Sequence, residues 1–143
     1  MTCYLDASVM LPMLVKEPAS AAVDAFMATV QQEVWVSDFA AAEVASALSR
    51  LIRTAHLQAT DAAARLSEFD IWRAAMTSTV DIQASDTRLA YIYVRRFDLR
   101  LRAPDALHVA VARRLDAVLV TLDRRMATAA IELGVTVEML TSP

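Results

Sequence analysis

At 143 residues, 57% of them hydrophobic, the chain has the length of one domain able to bury about 68–70% of its unfolded surface. A formal net charge of −3 excludes a uniformly basic nucleic-acid binder, and charges interrupt every apolar run before it nears the ~18 residues of a membrane span. One glycine excludes a P-loop and a dinucleotide-binding fingerprint, and one cysteine excludes a disulfide framework and a Cys-based zinc site. Cys3 is expected to be a buried, reduced thiol. The opening "MTCYLDAS" has neither the basic start nor the cleavage site of a secretory signal, so a cytoplasmic location is the expectation. A chain this apolar carries more hydrophobic surface than its own core hides, which predicts a dimer face or a partner groove.

Short Val-rich runs alternate with helical ones along the chain. "TCYLD" (2–6) predicts a first strand, followed by a short helix that Pro12 interrupts or starts, and then by a helix over 19–30. "EVWVS" (33–37) predicts a second strand, with helices over 39–54 and 61–76 after it. "VDIQA" (80–84), a helix over 86–97 and a helix over 104–115 come next. "AVLVTL" (117–122), a helix over 124–133 and "VTVEML" (135–140) complete the alternation. Ser37 or Asp38, Thr60 or Asp61, and Ser85 or Asp86 are the helix caps this pattern suggests. Brief, almost wholly apolar strands separated by helices predict an α/β domain over 1–143, with a mainly parallel sheet covered on both faces. No linker, repeat or low-complexity segment interrupts it.

In such sheets ligands bind beyond the carboxyl ends of the strands, and acids stand there. Asp6 ends the first strand and Asp123 the fourth; each is also a plausible cap for the helix that follows. Glu43 has no capping-box partner, since position 40 is Ala, and it lies at the edge of the Val44, Leu48, Leu51 stripe. From there it reaches either a pocket or water. Asp105 follows Pro104 in "RAPDALHVAVARR", heading a row that continues through Val109 and Ala112 to Asp116. An acid in a first turn suits the helix dipole, but this helix is apolar enough to be packed on two sides. Should the four converge, carboxylates ~4 Å apart repel by about 4 kcal/mol per pair at an effective dielectric of ~20. Protonation or bound cations must relieve that. All-oxygen donors favour Mg²⁺ or Mn²⁺, and carboxylates around such ions are the apparatus of phosphodiester hydrolysis.

"YLDASV", "VSDFAAAEVASAL", "APDALHVAVA" and "LVTLDRRM" together resemble the four acidic motifs of the PIN-domain family, and within it the VapC-type toxins of toxin–antitoxin pairs. The resemblance spans nearly the whole chain with the motifs in order. It implies a three-layer α/β/α sandwich and a Mg²⁺- or Mn²⁺-dependent endoribonuclease. It implies a homodimer, and inhibition by a cognate antitoxin seated in a groove near the active site. Carried over, Asp6, Glu43, Asp105 and Asp123 form the acidic site, with Asp6 and Asp105 as direct metal ligands and Glu43 or Asp123 placing the water or a second ion. Ser8 and Thr121 match polar positions that orient the metal or its water, although a serine after a strand caps a helix equally well.

Because the net charge is acidic, RNA contacts are expected from the local cluster Arg95, Arg96, Arg100 and Arg102. His56 and His108 read as surface or packing residues, and Trp35 and Trp72 as core or interface. A phosphotransfer receiver domain is disfavoured, since Ala7 follows Asp6 and Lys16 is the only lysine. A catalytically idle binding module of the same fold would lack one of the four acids. A DNA nuclease of this architecture stays open, because only contacts to the 2′-OH separate the two nucleic acids.

Overall fold

The computed structural model describes residues 1–141. Five strands, β1 (Thr2–Leu5), β2 (Glu33–Ser37), β3 (Ser78–Val80), β4 (Val118–Thr121) and β5 (Val137–Met139), form one sheet in the order β3-β2-β1-β4-β5. Every pairing is parallel; Tyr4 stands between Trp35 and Leu119 in register. Helices α1 (Ala7–Leu14), α2 (Ser20–Thr29), α3 (Asp38–Arg53), α4 (Ala59–Met76), α5 (Ala84–Val94), α6 (Ala103–Leu115) and α7 (Arg124–Glu132) cover both faces.

The two-residue period of the strands divides the core into two. Cys3, Leu5, Val36 and Val120 pack with Val9, Met10, Val44 and Leu48 of α1 and α3. Tyr4 and Leu119 point the other way, onto Val109, Val111 and Met126 of α6 and α7. This is the three-layer α/β/α sandwich with a parallel sheet that the pattern of runs predicts.

Local differences have local causes. Pro12 neither starts nor breaks its helix; it lies inside α1, where its missing N–H falls only two residues before the helix ends. The third strand runs over Ser78–Val80 instead of 80–84, sharing only Val80 with the expected run, because Gln83 turns into α5 as its N-cap and its N–H donates to Asp86 Oδ2 at 2.9 Å. Asp86 is thus inside the first turn and not the cap, and α4 likewise starts at Ala59 behind Gln58 rather than at Thr60 or Asp61. Ser37 is the cap of α3, accepting from the Ala40 N–H. The fifth helix ends at Val94, not at 97; a 3-10 turn over Phe97–Leu99 follows, and Arg100 takes the left-handed conformation (φ 57°). Asp86, 2% exposed, is clamped by Arg114 through two bonds of 2.9 Å, which ties α5 to α6.

The strand order places the site. From β1 the chain moves outward through β2 to β3, then crosses back so that β4 lies on the other flank of β1. Strands leaving in opposite directions open a crevice beyond the carboxyl ends of β1 and β4.

Candidate active site

Asp6 follows β1 directly at that crevice. It occupies the N-cap position of α1, yet its side chain caps nothing. Its Oδ1 accepts from Ser8 Oγ at 2.6 Å and its Oδ2 from Thr121 Oγ1, at the end of β4, at 2.8 Å. Ser8 Oγ also accepts from the Leu122 N–H, and Thr121 Oγ1 from the Asp123 N–H, both at 2.9 Å. Two hydroxyls from neighbouring strand ends therefore hold one carboxylate in a fixed orientation. Ser8 and Thr121 are supports of Asp6, and the helix-cap reading of Ser8 falls away. Asp6 is 2% exposed, and burial raises its carboxyl above the ordinary value against the opposing pull of the Ser8 hydrogen bond.

Asp123 does cap its helix: Oδ1 accepts from the Met126 N–H at 3.1 Å. Asp105 sits in the first turn of α6, whose N-cap is Arg102. Partial burial raises the Asp105 carboxyl, and the nearby charge of Asp123 raises it further. The charge of Asp123 also acts on Asp6 in the same sense. Acids 18 and 117 positions apart in the chain thus sense one another, as carboxylates sharing one cavity do.

Glu43 closes the set. It reaches inward to hydrogen-bond Nε2 of His108, and its side chain stays 31% exposed. A cavity of about 350 Å³ is lined by Asp6, Glu43, Asp105 and Asp123, together with Ser8, His108, Arg50 and Arg102. All four predicted acids meet there.

The arginines divide. Arg100 and Arg102 line a second, larger groove of about 890 Å³ that shares Asp105 and Asp123 with the acid cavity. Arg95 stacks on Tyr91 (5.5 Å), and Arg96 pairs with Asp98 at 2.7 Å; neither lines that groove. Arg124 and Arg125 line it instead. They were visible as the "DRR" after the fourth strand, but only the orientation of α7 aims them here. His108 is a residue whose packing reading is met but incomplete. It is 1% exposed, as a packing histidine is, but it is wired to Glu43.

The donors suit a hard cation. Four carboxylates, two of them raised by burial, line one cavity, and its one imidazole, His108, is already engaged by Tyr4 and Glu43. Among the described residues no three such side chains close into a ready-made cage. An all-oxygen set of this openness suits an ion held partly through water.

The family model of the PIN domain matches residues 3–132. No curated protein is similar enough in sequence to count as a relative. Among solved structures, the chain is similar to VapC20 of Mycobacterium tuberculosis, a toxin that cleaves the sarcin–ricin loop. That similarity is 18% identity and a TM-score of 0.72, over 90% of this chain and 95% of that one. VapBC2 of Rickettsia felis, bound to a fragment of promoter DNA, is 16% identical with a TM-score of 0.70, over 99% and 100%. FitAcB of Neisseria gonorrhoeae is 19% identical with a TM-score of 0.71, over 95% and 96%. At these identities the likeness is one of fold.

Proposed function

The chain belongs to the PIN-domain family, and on that premise we propose that it is a divalent-metal-dependent endoribonuclease acting as the toxin of a toxin–antitoxin pair. One observation carries the reading: carboxylates from four separate segments line a single cavity at the switch point of a parallel sheet. Asp6 and Asp105 are the direct ligands of a Mg²⁺ or Mn²⁺ ion, with Asp123 and Glu43 beside them. The ion supplies Lewis-acid charge that activates water and stabilises phosphoryl oxygens.

The chain's own groups do the rest. Ser8 and Thr121 fix the Asp6 carboxylate before substrate arrives. Arg102 and Arg50, on the cavity wall, are placed to hold a phosphate against the acids. The adjoining groove takes the flanking strand, with Arg100, Arg124 and Arg125 as its phosphate contacts and Asp105 and Asp123 on its acid-cavity side. The reported toxins of this fold support an antitoxin as partner. Tyr91 and Ile92 of α5, Phe97 of the 3-10 turn beyond it and Ile131 of α7 are exposed apolar side chains, which suits a homodimer.

The test uses the purified chain, free of partner, with a structured RNA pool and a matched DNA pool under Mn²⁺, Mg²⁺ or chelator. RNA cuts are expected with either ion, none with chelator, and none from Asp6→Asn or Asp105→Asn. Cuts in DNA alone would make it a DNA nuclease. An inert protein whose melting temperature ignores divalent ions would remove the proposal altogether.

A further inference from the structure

Glu43 is not free to choose its direction. Between Ala40 and Ala47 on α3 it has room, and two cavities compete for it: the acid pocket, and a smaller one of about 260 Å³ lined by Arg50 and Arg53. A long acid beside two arginines should turn toward them. Instead it accepts from His108.

The histidine is itself held. Nδ1 lies 2.7 Å from the Tyr4 hydroxyl, which lies 2.9 Å from Ser37 Oγ, which accepts from the Ala40 N–H at 3.0 Å. The rings of Tyr4 and Phe39 stand 5.7 and 5.5 Å from the imidazole. Tyr4, Ser37 and His108 are all at most 1% exposed, so their protons must find acceptors within the protein. One polarity satisfies every group. Ala40 N–H donates to Ser37, Ser37 to Tyr4, Tyr4 to Nδ1, and Nε2–H to the Glu43 carboxylate, which only accepts. The reverse polarity, with a proton on Nδ1, leaves the Ser37 hydroxyl proton no acceptor among its two partners.

We propose that His108 is a positioning residue, locked by Tyr4 and Ser37 as the Nε2–H tautomer, and that this chain of hydrogen bonds selects the direction of Glu43 into the acid pocket. The chain starts at the N-cap of α3, passes through β1 and α6, and returns to α3 less than two turns further on. Site geometry is thereby tied to the docking of α6 on the sheet.

The effect on turnover rests on the nuclease reading; the tautomer does not, so two measurements separate the failures. Nitrogen-15 NMR of histidine-labelled, metal-free protein should show His108 Nδ1 without a proton; exposed His56 is the only other imidazole. A protonated Nδ1 overturns the proposal whether or not the protein cuts RNA. In the cleavage assay Tyr4→Phe should lower kcat by about 10–100-fold with KM little changed, the size of effect that removal of outer-shell partners has. His108→Gln, which keeps an N–H for Glu43, should recover most of what His108→Leu loses. In the Glu43→Ala background Tyr4→Phe should cost no further turnover. An equal loss in both backgrounds, with melting curves showing folded protein, makes Tyr4 and His108 merely structural and ends the proposal. A wild type that cleaves nothing refutes the nuclease reading, and the tautomer then decides alone.

Discussion

Single side chains shape the acid cavity of this protein, and two of them do so at a cost to stability. Asp6 and Asp105 have carboxyls raised by burial above the ordinary value near 3.8. A raised acid holds its proton more tightly in the folded than in the unfolded chain. Its contribution is therefore most favourable below the unfolded pKa and is lost as pH rises through the folded one. Asp6→Asn and Asp105→Asn should each raise the melting temperature of metal-free protein at neutral pH, by about 2–4 °C per kcal/mol relieved, with the gain vanishing near pH 3. Divalent ions should stabilise the wild type and not these variants. Calorimetry across pH, with and without Mg²⁺, checks both. A neutral-pH melting temperature lowered by both substitutions would show that the hydroxyls around Asp6 outweigh the desolvation. The four acids could be picked out in the chain because each sits where ordinary helix chemistry explains it incompletely. Asp123 shows the limit of that logic, since it caps α7 and lines the pocket at once. His108 could not be picked out. Its hydrogen bonds need Tyr4 on the same side of the sheet and Glu43 on a helix of the opposite layer, neither of which its neighbours in sequence reveal.

Helices and strands begin where the runs of residues suggest and end where capping demands. Gly134 ends α7 at φ 82°, with the Val135 N–H bonding back to Ala130 and its own N–H to Ile131. The same double closure ends α3 and α6, where the left-handed residues are Ala55 (φ 61°) and Asp116 (φ 50°). A left-handed alanine costs about 1 kcal/mol that glycine avoids. Ala55→Gly should therefore raise the melting temperature by about 3 °C for a chain of this length, leaving any nuclease activity unchanged. Differential scanning calorimetry decides it, and a lower melting temperature would mean that unfolded-chain entropy outweighs the relieved strain. Such ends escape a sequence reading because only one of three carries the glycine that marks them. The third strand was misjudged for a related reason. Ile82 is apolar enough to extend it, yet the Asp86 carboxylate accepts from the Gln83 N–H and commits the segment to α5.

Across the fold as one body, arginines from two separate segments gather on one groove. A chain of net charge −3 lines this groove with Arg100, Arg102, Arg124 and Arg125, alongside the acids Asp98, Asp105, Asp123 and Glu132 of the same groove. Arg124 and Arg125 begin α7, where the helix dipole disfavours cations, so local stability does not account for them. Arg124→Ala with Arg125→Ala should weaken binding of single-stranded RNA by the uncleaving Asp6→Asn protein. The slope of log K against log salt should flatten by about 1.4, at ~0.7 per phosphate. Arg95→Ala with Arg96→Ala should leave the slope unchanged, since neither lines the groove and Arg96 already holds Asp98. Equal flattening by both pairs would mean a diffuse rather than a groove-bound contact. Alternation of apolar runs was enough to read an α/β sandwich with a parallel sheet, because burial on both faces writes itself into consecutive residues. The identity of the four acids was legible too, since each stands at a strand end or on a helix where nothing local fully requires it. Their convergence, the hydroxyl grip on Asp6, the aim of Glu43 and the choice among arginines came only with the folded chain. Those depend on which strands are neighbours and which way each hydrogen bond runs, and such long-range facts leave no period in the order of residues.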